Sequence, residues 1–406
     1  MADESLTQQS VPNFLPDANA LATELKDLRR SLHRHPELGN NLPWTQSAVI
    51  DALDGLPLTI HRGKSVTSVT AVLEGQLPGP TVLLRGDMDA LPVEENSGED
   101  FASTNGAMHA CGHDLHTAGL VGAAKILSAH REELPGKVIF MFQPGEESPG
   151  GAAPMIEEGV LDVTGERPVA AYGFHVVPMP LGAFMYRPGT IMAGAYSLRV
   201  VVHGKGGHGS APHSALDPVP ALTEIATGIQ TMVTRQFDVF DPVVATITQL
   251  QAGTAAVNVI GDDASLGATV RAMSRESGEK FGVAVNRLAT HIAEAHGCTA
   301  EVEFATQYPP TVCDEEETER SAAALRRLVG DEAVVKVPEP RMGSEDFSFV
   351  LEEVPGTFMF VGASYPVEDP WNQPMNHSAE VRFDDSVLPV QSAALATLAF
   401  NRLVEA

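Results

Sequence analysis

A layered α/β domain interrupted by a smaller α+β domain is the fold class this sequence predicts, on three observations. Up to about residue 187, short apolar runs such as TVLLR at 81–85, KVIFMF at 137–142 and PVAAYGF at 168–174 alternate with helical patterns. That alternation marks a layered core whose functional residues gather at the carboxyl ends of its strands. From about 188 to 307 the style changes: half-exposed strands AYSLRVVVHGKG, VVATITQLQAG, SLGATVRAM and TAEVEFATQYPP, with two helical stretches between them, follow the β-α-β-β-α-β order of a ferredoxin-like unit. Finally, 406 residues exceed what a single core usually fills, roughly 250–300. The expected division is 1–187 and 308–406 for the first domain and 188–307 for an inserted lid.

Residues 1–17 have mixed polar composition and are expected to pack lightly. Beyond them, Leu21, Leu25, Leu28 and Leu32 recur every three or four residues, an amphipathic helix closed by Pro36 and Gly39. A second helical stretch, SAVIDALDGL, follows Pro43 and Thr45, and strands resume around 66–73. After the turn PGP at 78–80, TVLLR is too short and too β-branched for a helix, so it reads as a buried strand. A ligand-rich loop, a helix at about 114–130, strand 137–142, the loop QPGEESPGGA, a helix at about 152–159 and a strand leading into His175 complete the first part. Past the insertion come helix EEETERSAAALRRLVG, loop RMGSEDFSF, strand TFMFVG, loop WNQPMNHSAEVRF and a last helix at about 385–404.

The chain is 43% hydrophobic and 19% charged, with a formal net charge of -27. Such an excess repels a phosphate backbone and anionic lipid, so nucleic acid and membrane surfaces are excluded as partners. Cys111, Cys298 and Cys313 are too few for a disulfide framework and point to a reducing, cytoplasmic setting, with a Cys298–Cys313 pair left open. The acidic N-terminus does not resemble a signal peptide, and no run of about 18 apolar residues is seen. GGHGS and GKGG lack the strand, glycine spacing and helix of a dinucleotide loop.

The chemistry concentrates at MHACGHDLH, 108–116, where Cys111 and His113 lie among His109, Asp114 and His116. Glu146 and Glu147 follow strand 137–142. In an extended segment their side chains point to opposite sides, so that one binds metal and the other faces the water. His175 ends another core strand, and His377 sits in the polar loop NQPMNHSAE. Cys111, His113, Glu147, His175 and His377 make five ligands, more than one tetrahedral ion uses, and fit two divalent ions, zinc or manganese, with Cys111 as the bridge. Asp87 and Asp89 alternate along the strand exit, which places them on different sides. Asp89 is one candidate to hold a ligand histidine by its far nitrogen, and Asp114 another. A thiol nucleophile at Cys111 would leave Glu147, His175 and His377 without a shared purpose. Metal storage would give Glu146 no task.

Together RHPELG, LRGDMDALPVEE, MHACGHDLHTA, QPGEE, GFHV, GKGGHGSAPH, GSEDFSF and NHSAE resemble the zinc aminoacylase and carboxypeptidase family, in its branch of hippurate and indoleacetyl-amino-acid hydrolases. The resemblance runs from about 20 to 400 and implies a zinc-peptidase-like catalytic domain with an inserted dimerisation domain. It places the metal ligands at the five positions above and the general acid/base at Glu146. It also places substrate-binding groups at His208, Asn258 and Arg271, with His208 facing the oxyanion. Arg271 suits a substrate carboxylate through its planar fork, and Gly343 and Ser344 offer further donors to it. The implied reaction is hydrolysis of an N-acyl amino acid by a homodimer, with a dinuclear dipeptidase or carboxypeptidase as the alternative. One departure is Gly261, where relatives usually carry proline.

Overall fold

The computed structural model describes residues 11–366, 369 and 372–405. It divides into two compact units: the first holds the chain to Gly189, Val312–Glu339 and the chain from Phe349 on, and the second holds Thr190–Thr311 and Pro340–Ser348. The sequence pattern gives no reason to set 340–348 apart. Backbone pairing does, since Arg341 N–H donates to the Ile191 carbonyl (2.8 Å) and the Arg341 carbonyl accepts from Ala193 (3.0 Å).

The first unit is built on an eight-stranded sheet in the order Leu58–Arg62, Val69–Glu74, Pro135–Gln143, Leu77–Asp87, Ala170–Val177, Gly356–Gly362, Phe184–Tyr186, Val334–Lys336. Its four central strands run parallel, with Val82 opposite both Val138 and Ala170. Parallel strands covered on both faces carry continuous apolar runs, and Val82, Leu83 and Leu84 are fully buried. Helices Ala22–Arg34, His113–Ala129 and Leu388–Val404 pack together beside the sheet. Close approach among the three depends on small residues: a Cβ on Gly122 would meet Leu25 at 2.8 Å, and Ser392 Oγ donates to the Gly119 carbonyl (3.0 Å). Among the described residues Asp385–Val404 is long and apolar enough to cross a membrane, but 78% of that apolar window is buried inside the unit. It is a core helix.

Several elements differ from expectation. The edge strand Leu58–Arg62 escapes notice because its alternation is confined to Leu58 and Ile60 and the strand is largely exposed. Helix Pro43–Ala52 starts at its proline, whose fixed φ and missing N–H suit a first turn. Strand Ala170–Val177 runs past His175 rather than ending before it. All three cysteines are free, so the Cys298–Cys313 pair does not form. Instead the Cys313 thiol donates to the Phe358 carbonyl.

The second unit has a four-stranded antiparallel sheet in the order Val243–Ala252, Asp263–Ala272, Gly194–His203, Thr299–Tyr308. Along Asp263–Ala272 every second residue from Ala264 to Ala272 is buried, which fixes the face that helices Pro218–Gln236 and Arg275–Ala295 cover. Both helices are capped by side chains, Asp217 accepting from Val219 N–H and Ser274 from Ser277 N–H.

Candidate metal centre and substrate-binding residues

Strand ends in the first unit deliver the centre. Gly112 adopts φ +86, and a Cβ there would stand 2.3 Å from Val176 Cγ2, so glycine alone lets the start of helix His113–Ala129 approach strand Ala170–Val177. Cys111 Sγ then lies 3.2 Å from His175 Nε2. The Asn376 amide ties this corner to the far loop, donating to the carbonyls of Cys111 (3.2 Å) and Val176 (3.0 Å). Its neighbour His377 is the one non-glycine residue at positive φ among those described, at 73°, and its N–H donates to the Ala110 carbonyl (2.9 Å). A β-carbon residue held there is strained, and surrounding bonds must fix it. Asn376 has no sequence signal beyond its place beside His377, because asparagine is ordinary in a polar loop.

Two trios of potential ligand atoms share Cys111: Cys111, His113 and His175 form one, and Cys111, Glu147 and His377 the other, each within 4.8 Å. Glu146 groups with His113 and Glu147 within the same limit. Several of their ligand atoms are left without a hydrogen-bond partner. His175 Nδ1 donates to the Val176 carbonyl (2.8 Å), which leaves Nε2 as a lone-pair donor beside Cys111. His113 is fully buried, yet neither ring nitrogen makes a hydrogen bond; Nδ1 lies 3.3 Å from Asp89. Glu147 Oε1 is 3.0 Å from His377 Nε2 but has no hydrogen-bond partner. Buried polar atoms left this way are costly unless something else meets them. The donor set of thiolate, imidazole and carboxylate fits divalent transition ions.

Charge follows the same logic. The Cys111 thiol and the Glu147 carboxylate beside it push His377 up to about 10. Burial, with the Glu147 carboxylate beside it, pushes the Cys111 thiol up. The His377 shift expresses neighbouring acidic groups that favour positive charge at this place. Burial alone would raise the Asp87 carboxyl, but the Arg85 guanidinium (2.7 Å), His113 and His116 hold it well below the usual range.

The expected placement of Asp87 and Asp89 on different sides is wrong. Asp87 Oδ2 lies 3.6 Å from His113 Nε2 and Asp89 Oδ1 3.3 Å from Nδ1. Residues two apart on an extended exit share a face. Glu146 and Glu147 likewise occupy a turn, not an extended segment. What orients them is Asp89, whose carboxylate accepts both backbone N–H groups at 3.0 and 3.1 Å. His116 is fully engaged, donating from Nδ1 to Asp87 (2.5 Å) while Nε2 accepts from Val176 N–H (2.8 Å). Burial lowers His109 to about 3, keeping it neutral. Asp114 instead faces away into ion pairs with Arg29 and His33, both 2.7 Å.

Substrate-binding candidates lie in the second unit. His208 pairs with Val259 in a short ladder, and Gly209 N–H donates to the Asn258 carbonyl (2.8 Å), which puts His208 and Asn258 on neighbouring rungs. His208 Nδ1 accepts from Ser210 N–H (3.1 Å), so its proton sits on Nε2 and presents an outward donor. Arg271 is half-buried on strand Asp263–Ala272, donating to Thr269 Oγ1 (2.8 Å) and the Val270 carbonyl (3.1 Å), and no carboxylate pairs with it among the described residues. Burial lowers its pKa, the cost of holding a cation without a counter-ion. Gly343 and Ser344 belong to 340–348, where a Cβ on Gly343 would meet Met192 Cε at 2.9 Å. A side chain at Gly261 would meet nothing closer than 3.7 Å, so its turn accommodates other residues.

Residues 83–401 match the model of peptidase family M20/M25/M40. The chain is 36% identical to thermostable carboxypeptidase 1 of Saccharolobus solfataricus, over 94% of this chain and 96% of that protein. Similarity to IAA-amino acid hydrolase ILR1-like 4 of Arabidopsis thaliana is equal in identity, 36%, over 93% and 85% of the two chains. Among solved structures, the Bacillus subtilis YXEP protein, described as a dinuclear metal binding peptidase of the M20 family, superposes with a TM-score of 0.81 at 33% identity, covering 95% of this chain and 99% of that one.

Proposed function

The chain belongs to peptidase family M20/M25/M40, and on that premise we propose that it is a metal-dependent amidohydrolase cleaving the amide bond of N-acyl amino acids. The observation that carries the reading is Cys111 shared between two ligand trios with Glu146 beside them. Divalent cations, when bound, lower the pKa of water and offset negative charge growing on a carbonyl oxygen. Cys111, His113 and His175 would hold one, and Cys111, Glu147 and His377 the other, with zinc or manganese suited to the donors.

Glu146 takes the proton of the attacking water and delivers it to the leaving amine, the work of a buried carboxylate acting as base and then acid. Asp89 fixes the backbone of Glu146 and Glu147 and orients His113; Asp87 orients His116 and so braces the His175 strand. The Nε2 proton of His208 serves the tetrahedral oxyanion. Arg271, supported by Asn258, Gly343 and Ser344, recognises the carboxylate of the amino-acid part. The working form is a homodimer, and three free thiols fit a reducing cytoplasm.

Carboxypeptidase action is the second reading, favoured by the Saccharolobus relative. A panel of N-acetyl-, N-benzoyl- and N-indoleacetyl-amino acids against free dipeptides and N-blocked peptides, with metal-loaded protein, separates the two. Higher kcat/KM on N-acyl amino acids is expected; cleavage confined to peptides would transfer the assignment to the carboxypeptidase reading.

A further inference from the structure

The RHPELG stretch and the asparagine after it hold none of the chemical tasks assigned above, yet they wrap the loop that bears Glu146. Glu37 begins the contact. Its carbonyl accepts from Ala90 N–H (2.8 Å), one residue past Asp89, and Leu38 bridges to Ala90. The Glu37 carboxylate meanwhile accepts from Trp44 and Thr45 N–H at 3.2 and 2.8 Å, so the stretch is anchored to the next helix. Asn40 then reaches over the loop. Its Nδ2 donates to the Gly150 carbonyl (3.2 Å), and its own carbonyl is fixed by Thr67 N–H (3.0 Å). A Cβ on Gly145 would stand 1.9 Å from Asn40 Oδ1, and one on Gly151 3.3 Å from it.

Loop 144–151 is therefore gripped from two directions. Asp89 takes the N–H groups of Glu146 and Glu147, and Asn40 closes on the glycines at either end. Gly145 at φ +72 and Gly150 at φ +97 show why a grip is needed, because glycines at such angles give a loop freedom that its sequence does not restrain. A proton acceptor must stay within a fraction of an ångström of its working position, and supporting contacts decide whether it does.

We propose that Asn40 is a positioning residue for Glu146, holding the loop so that the carboxylate keeps its place; this deepens the reading of Glu146 as base and rests on it. Two variants test it. Asn40→Ala removes the whole grip, while Asn40→Asp keeps the volume against Gly145 but cannot donate to the Gly150 carbonyl, and carries the test alone if the alanine variant fails to accumulate. Expected in both are wild-type bound metal, melting temperature and KM, amide exchange over 143–151 faster by about tenfold, and kcat lower by about 10- to 100-fold. Glu158→Gln, which loosens contacts to Lys64 and Ser65 instead, is the control and leaves exchange over 143–151 and kcat unchanged.

Unchanged exchange in both Asn40 variants overturns the proposal, as does faster exchange with wild-type kcat. A kcat loss matched by loss of metal or of melting temperature assigns Asn40 a purely structural role and overturns it too. Exchange is read without substrate. A wild type inactive on N-acyl amino acids would thus sink the function reading by itself, and the exchange profile would still decide whether Asn40 restrains the loop.

Discussion

Cys111, His113, His175, Glu147 and His377 stand out in the sequence because thiolate, imidazole and carboxylate at strand ends are uncommon together, and the fold groups their potential ligand atoms in two trios that share Cys111, each within 4.8 Å. Orientation was far less legible. The facing of Asp87 and Asp89 was misread, and the grip of Asn376 on the Cys111 and Val176 carbonyls leaves no mark in the chain, since amide hydrogen bonds to backbone need no distinctive residue pattern. Arg271 offers the sharpest test of substrate recognition. With no acidic partner among the described residues, Arg271→Ala should lower kcat/KM for substrates with a free carboxylate by about 10- to 100-fold, the worth of one charged hydrogen-bonding group. Carboxyl-amidated analogues should be hydrolysed almost as by wild type. Equal loss on both substrate types would remove Arg271 from recognition.

Helix Ala22–Arg34 was readable from its leucine spacing, but its most consequential contacts are polar. His33 places Nδ1 2.7 Å from Asp114 and Nε2 3.1 Å from Glu95, so both ring nitrogens donate and the ring is an imidazolium. Arg29 pairs with Asp114 and Asp385, Arg30 with Asp385, and His109 lies against the His33 ring at 6.2 Å. This network docks the helix to the start of His113–Ala129. Burial would lower His33, and the Asp114 carboxylate outweighs it, raising the pKa above 6.5. A raised folded value means that the His33 contribution is complete below its unfolded value, about 6.5, and is lost as pH rises through the folded one. Melting temperature should therefore fall in wild type as pH rises from about 6.5 through the raised folded value. His33→Gln, costing about 3–5 kcal/mol by leaving Asp114 and Glu95 short of a cation, should lack the slope. Identical pH profiles would contradict the assignment.

The alternation of strand and helix is the mark of a layered unit, whereas the second unit, Thr190–Thr311 with Pro340–Ser348, includes a distant segment, and pairing such as Arg341 with Ile191 cannot be seen from local patterns. Strand Val243–Ala252 lies at an edge of its sheet with Val244 and Leu250 exposed. An apolar edge of this length invites pairing with a second chain. Light scattering at assay concentration should give the mass of a dimer, and Leu250→Lys should shift it toward monomer. A fully active wild-type monomer would refute the dimer.

Metal content and turnover, measured together on wild type, Glu147→Gln and Glu146→Gln after chelation and reloading, test the central claim most directly. Wild type should regain activity as two divalent ions bind per chain. Glu147→Gln, losing a ligand, should hold fewer ions and turn over more slowly. Glu146→Gln should bind the same two ions and the same substrate but lose about two to four orders of magnitude in kcat, the usual scale of general acid/base assistance. Full hydrolysis of N-acyl amino acids by verified metal-free protein, or near-wild-type turnover in metal-loaded Glu146→Gln, would contradict it.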